Sequence, residues 1–170
     1  MYIHKMILFM LMVLLSNHAL ALSTDREQPI EIAADRAQID NMKGIAIYEG
    51  NVIVSQGSIR IDAETLTIKY SKQHDIEKAI AIGKPAHFKQ RLDSGEDIKA
   101  KAKEMEYNAL ENMLNLRINA ELRKGNKGID NYISLAPFIS YDTQRGIITA
   151  DKGKEKNGRI TMTFKPKPKE

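Results

Sequence analysis

Apolar side chains recur two apart along residues 45–70, at Ile45 and Ile47, Val52 and Val54, Ile59 and Ile61, and Leu66 and Ile68. A spacing of two marks one face of a half-buried β-strand. Between pairs the spacing is five, an odd number that would send the next pair of a continuous strand to the opposite face. A corner or bulge must restore the phase at each break. Gly50-Asn51 and Gln56-Gly57-Ser58 supply turn chemistry for two of these breaks. On this pattern Ile47 shares an inward face with Val54.

The same design repeats along the chain. Ile30-x-Ile32-x-Ala34-x-x-Ala37-x-Ile39 matches Ile59-x-Ile61-x-Ala63-x-x-Leu66-x-Ile68. Ile98-x-Ala100-x-Ala102-x-x-Met105-x-Tyr107 and Tyr132-x-Ser134-x-Ala136-x-x-Ile139-x-Tyr141 complete the set. Each copy slips phase by one just after a small residue that fits inside a corner, and repeats of this length mean a stacked or radially repeated architecture. Val52-x-Val54, Ile80-x-Ile82, Leu114-x-Leu116-x-Ile118 and Ile160-x-Met162-x-Phe164 add strands between and after the repeats. Residues 100–116 have helix-forming composition but alternate with period two, so they read as two strands and a turn. About sixteen short antiparallel strands result, an all-β fold in a rolled, open-ended sheet. Such a roll leaves unpaired backbone groups on its first strand, residues 30–34, and its last, residues 159–164. Either the flanking tails cover them or another chain's strand completes them, and end-to-end addition of that kind propagates into fibres.

The first residues stand apart from this pattern. Lys5 precedes the unbroken apolar run Met6–Leu15, and Ala19-Leu20-Ala21 follows. That is the grammar of a secretory signal peptide cleaved after Ala21, and the run is well short of the ~20 residues of a membrane span. The expected organisation is a signal peptide over 1–21, a β domain over 22–164 and a basic tail over 165–170, with Leu22–Gln28 polar and mobile. The chain has no Cys, so neither a lipid-bearing cysteine nor a disulfide is available and the core alone must hold the fold. A net charge of +4 from 26 basic and 22 acidic residues makes no case for nucleic acid.

No catalytic constellation emerges. Two of the four histidines lie in the signal peptide, and His74 and His87 stand thirteen apart with no paired spacing, which argues against zinc. Nucleophile-elbow, P-loop and dinucleotide motifs are absent, and carboxylates such as Glu31, Asp62 and Glu64 fall on outward positions. No enzyme, metal or cofactor is expected.

Several stretches, in order, resemble the periplasmic lipopolysaccharide-transport bridge family (LptA, or OstA-like). They are Gln28-Pro29-Ile30, Gly50-Asn51-Val52-Ile53-Val54, Gln56-Gly57, Ile59-x-Ile61-x-Ala63, Gly83-Lys84-Pro85-Ala86-x-Phe88, Ala102-x-x-Met105-x-Tyr107 and Asp151-Lys152-Gly153-Lys154. Two positions depart from the family pattern: Ile118-Asn119-Ala120 has Ile where the family has Gly, and Pro137 interrupts the fourth repeat. The resemblance implies a β-jellyroll whose apolar interior binds lipopolysaccharide acyl chains. It also implies head-to-tail joining, C-terminal edge to N-terminal edge, into a bridge across the periplasm. The bridge would meet an ATP-driven extractor through its anchor protein at the inner membrane, and a barrel translocon at the outer membrane.

Physical chemistry asks for such a carrier. Each methylene exposed to water costs ~0.8 kcal/mol, so one twelve-carbon chain costs on the order of 10 kcal/mol. The inward positions expected to line the slot are Ile30, Ile32, Ile39, Ile47, Val54, Ile61, Ile68, Phe88, Met105, Leu116 and Leu122. Residues Ile30, Glu31, Ile32, Ala33 and Ala34 form one expected docking edge, and Arg159, Ile160, Thr161, Met162, Thr163 and Phe164 the other. Competing readings are the jellyroll of the related inner-membrane anchor, a carbohydrate-active β-solenoid, and a sandwich that polymerises without lipid. A permanent anchor has no use for Ala19-Leu20-Ala21, and a lyase needs a carboxylate cluster that this chain does not assemble.

Overall fold

The computed structural model describes residues 24–153 and 158–166; the expected signal peptide over 1–21 and the end of the expected basic tail lie outside them. Among the described residues ten strands form one antiparallel sheet: β1 (Glu31–Ala33), β2 (Arg36–Asp40), β3 (Ile45–Gln56), β4 (Ile59–Tyr70), β5 (Ile76–Arg91), β6 (Asp97–Asn108), β7 (Met113–Asn126), β8 (Ile129–Asp142), β9 (Ile147–Asp151) and β10 (Thr161–Phe164). The order is β1-β3-β4-β5-β6-β7-β8-β10, with β2 also on β3 and β9 also on β8. The outermost rows are therefore split strands, and among the described residues neither pairs with the other.

Every long strand turns a corner at its middle. The ladders skip between Glu49 and Val52, Asp62 and Thr65, Ile82 and Ala86, Lys101 and Glu104, and Arg117 and Ala120. Eight rows, each bent once, account for the sixteen short strands that the pattern predicts. The bends align, so the sheet doubles over into two layers. The first holds β1, β10 and residues 52–63, 86–102 and 120–136. The second holds β2, β9 and residues 45–49, 65–82, 104–117 and 138–142. Small residues occupy the inside of the fold line: Ala86 faces Ala102, Ala120 faces Ala136, and Ala86, Ala102 and Ala120 are all but inaccessible. A larger side chain there would force the layers apart. Pro137 sits at the same line, where the β7–β8 ladder is already broken.

The four repeats are the rows β1/β2, β4, β6 and β8, whose inward residues change parity at the corner. The opposing row β3 behaves differently, which corrects one expectation. Gly50 and Asn51 both take left-handed backbone, with φ of 78° and 45°. Two such residues in succession turn the strand over four positions and keep its parity, so Ala46, Tyr48, Val52 and Val54 face in. Ile47 lies on the outer face opposite Thr67 and is not part of the lining. Gly50 suits the site, since a Cβ there would strike the Asp35 carboxylate. β7 makes the equivalent bend with Ile118 and Asn119, at φ of 65° and 57°.

Both ends need adjustment as well. β10 begins at Thr161, so Arg159 and Ile160 precede that edge strand, and β1 spans only Glu31–Ala33, so Ile30 and Ala34 flank the other rather than belong to it. At the other end, the part of Leu22–Gln28 that is described is ordered: Thr24–Glu27 form a 3-10 turn, and the Asp25 carboxylate is buried.

Candidate functional site

Two apolar rows cross the sheet from edge to edge, one in each layer. In the first layer, Ile32, Val54, Ile61, Phe88, Ala100, Leu122, Ser134 and Met162 stand opposite one another in turn. In the second, the row is Ile39, Ala46, Ile68, Ala79, Tyr107, Leu114, Tyr141 and Ile148. Directly opposed residues share a face, so both rows look inward across the doubled sheet.

The space between the layers is filled at one end and open at the other. Under β6–β8, Ile98, Met105, Leu116, Leu122, Ile139 and Tyr141 are packed and inaccessible. Burial in that apolar packing pushes the Tyr141 hydroxyl above its ordinary pKa, with the Asp142 charge adding to the shift. Ser134 Oγ is buried there with no hydrogen-bond partner among the described residues. Toward β3–β5 the layers part around a cavity of about 300 Å³. Ile30, Val54, Ile59, Ile61, Phe88, Gln56 and Gln90 wall it on the first layer, and Leu66, Ile68, Ile76, Ala79, Tyr107, Ala109, Leu114 and Thr143 on the second. Among the described residues its lining carries no ionisable group other than the Tyr107 phenol, so the cavity suits hydrocarbon.

The expected lining residues divide accordingly. Ile30, Val54, Ile61, Ile68 and Phe88 reach the cavity. Ile32 packs against the core, and Ile39 ends its row 58 % exposed. Met105, Leu116 and Leu122 face in but lie in the filled end, while Ile47 faces out. Ile59, Leu66 and Tyr107 stand in the repeats and were open to the same alternation argument. Gln56 and Gln90 were not, because polar residues carry no inward signal.

Charges gather on the outer face. Lys101 meets Glu121 at 2.9 Å, Arg123 bridges Glu121 and Asp130, and Arg117 meets Glu104 at 3.1 Å. Burial pushes the Glu121 carboxyl up, but hydrogen bonds from Arg123 and Lys101 outweigh it and leave the pKa below the usual range. The edges carry no such dressing on their inner side. Ile39 at one edge and Met162 and Phe164 at the other, 44 % and 71 % exposed, end their rows in solvent. Phe164 is held edge-on against Tyr132 with ring centres 5.2 Å apart.

Comparison with known proteins places this architecture. Residues 31–147 match the model of the family described as LptA/(LptD N-terminal domain) LPS transport protein. The chain is 36 % identical over 160 residues to the lipopolysaccharide export system protein LptH of Pseudomonas aeruginosa, covering 91 % of this chain and 89 % of that one. It is 33 % identical over 165 residues to the lipopolysaccharide export system protein LptA of Haemophilus influenzae, covering 94 % and 89 %. The crystal structure of LptH, described as the LptA-homologous periplasmic component of the lipopolysaccharide transport device of Pseudomonas aeruginosa, superposes with a TM-score of 0.73 at 32 % identity, over 85 % of this chain and all of that one. The chain therefore belongs to the LptA/(LptD N-terminal domain) family of lipopolysaccharide transport proteins.

Proposed function

We propose that this protein is a non-enzymatic periplasmic carrier that shields the acyl chains of lipopolysaccharide between its two layers and hands the lipid along a head-to-tail bridge. The observation that carries the reading is the pair of inward apolar rows that open a cavity at one end and run out, unpaired, at both edges. A slot of this shape takes hydrocarbon while sugars and phosphates stay in water, which removes the ~10 kcal/mol penalty of exposing a twelve-carbon chain. Export would leave residues 22–170 in the periplasm once the signal peptide is removed. The bridge would meet the inner-membrane extractor's anchor protein at one membrane and the outer-membrane translocon at the other.

The register supports a specific junction. Eight rows place β1/β2 and β9/β10 in opposite directions, so a second copy set on by translation meets the first with antiparallel strands. Continuing the inward rows sets Ile32 of the next copy opposite Met162 and Ile39 of the next copy opposite Ile148. Because the chain has no native cysteine, Ile32→Cys with Met162→Cys should give a ladder of oxidised oligomers. Ala33→Cys, on the outer face, should not join Met162→Cys. Equal ladders from both pairs, or none from either, would overturn the junction. The carrier itself is tested by displacing a cavity-bound naphthalene sulfonate dye with lipopolysaccharide. Intact lipid should displace it and the deacylated saccharide should not.

A further inference from the structure

Part of the cavity wall does not belong to the sheet. The segment from Asp25 to Ile30 crosses the hairpin ends of the first layer and sets Ile30 on the cavity wall. Its anchor is Asp25, 7 % exposed. The carboxylate accepts the Ser58 backbone N–H at 2.6 Å, the Ser58 hydroxyl at 2.7 Å and the Gln90 amide at 3.3 Å. Gln56 donates its amide to the Gln28 carbonyl at 3.1 Å. The contact is close enough that a Cβ on Gly57 would strike Asp25. Both glutamine amides on the otherwise apolar wall are thus turned to the strap.

Capacity gives the strap a consequence. At about 300 Å³ the cavity is twice the ~150 Å³ apolar void that takes one benzene, which leaves room for about twelve carbons, or one chain. A lipid with several acyl chains needs more space. The other wall residues stand in strands or in turns closed by backbone hydrogen bonds such as those of Ala109 and Thr143, whereas the strap rests on a few side-chain hydrogen bonds until Glu31 enters β1. It is the part of the wall with the lowest cost of local opening. We propose that residues 25–30 are a latch, closed by Asp25 on Ser58 and Gln90, that must swing away before a multi-chain lipid can load. This inference rests on the carrier reading above.

The test separates chain number from cavity chemistry. In Asp25→Cys with Ser58→Cys, neither of which lines the cavity, oxidation to a disulfide shuts the latch; in Asp25→Ala it is released. Each is compared with the native protein for binding of a fluorescent twelve-carbon fatty acid and of lipopolysaccharide, with circular dichroism to confirm folding. The shut form should keep its affinity for the single chain and lose lipopolysaccharide binding by at least about tenfold, as expected when the competent state becomes rare. The released form should take up lipopolysaccharide faster than the native protein. Equal lipopolysaccharide binding by the shut and native forms would overturn the latch and leave the carrier standing. Failure of the native protein to bind either lipid would overturn both.

Discussion

Leu116 and Ile61 are both inward aliphatics, and the filled and open ends of the molecule predict opposite consequences for truncating them. Leu116 is inaccessible, flanked across the ladder by Met105 and Ile139, themselves buried. Leu116→Ala removes packed methyl groups and leaves a void, a change that costs roughly 2–5 kcal/mol. At about 3 kcal/mol, and about 2–4 °C of Tm per kcal/mol for a domain of this size, melting should fall by about 6–12 °C. Ile61 already borders empty space, so Ile61→Ala enlarges a cavity rather than making one. Its cost should stay under about 1.5 kcal/mol, as for substitutions that remove little filled volume. Its effect belongs to the ligand. Three carbons lost from an apolar contact are worth up to about 2 kcal/mol, or roughly thirtyfold in Kd. Calorimetric melting and lipopolysaccharide titration on the same samples decide the matter. If Ile61→Ala melts as low as Leu116→Ala while lipid affinity is unchanged, the division into a filled end and a binding end is wrong.

Two further outcomes follow from the corners and the outer face. Ile118 is a β-branched residue at a left-handed φ of 65° and 47 % exposed, at the position where β3 uses Gly50. Strain there of roughly 1–3 kcal/mol exceeds the chain-entropy cost of glycine, so Ile118→Gly should stabilise by about 1 kcal/mol and raise Tm by a few degrees; a fall in Tm would contradict this. Acid should act through Asp97, Glu121 and Asp142. The Arg91 hydrogen bond holds Asp97 down, and backbone and side-chain hydrogen bonds from Arg145 hold Asp142 down. Glu121 is lowered by Arg123 and Lys101 against the opposing effect of burial. Each carboxylate has a folded pKa below its unfolded one, so its stabilisation is complete above the ordinary carboxylate value near 4 and is lost as pH falls through the lower folded values. A Tm that is level from pH 7 to about 5 and drops below about 4 is the expected profile, and a Tm that rises on acidification would refute it.

The sheet, its corners and its open edges were legible because alternation and small corner residues are properties of single rows. The repeats around Ala34, Ala63, Ala102 and Ala136 describe their strands correctly because one residue is gained at each corner. β3 misled because Gly50-Asn51 uses two left-handed residues, which keeps the parity and turns Ile45 and Ile47 outward. The division of the interior is a property of two facing layers: alternation shows that Leu122 and Ile61 both face in, but not that one meets a partner and the other a gap. Gln56 and Gln90 were hidden by their polarity. The role of Asp25 depends on Ser58 and Gln90, 33 and 65 residues away, and no local pattern signals that contact.

Neighbouring residues on one strand offer the most direct trial of the carrier. Phe88 faces the cavity, and His87 beside it faces solvent on the outer side of the same layer. A photo-crosslinking side chain placed at each position in living cells reads the two faces of the same sheet. The account predicts lipopolysaccharide adducts at 88 and none above background at 87; equal labelling, or adducts at 87 alone, would contradict it.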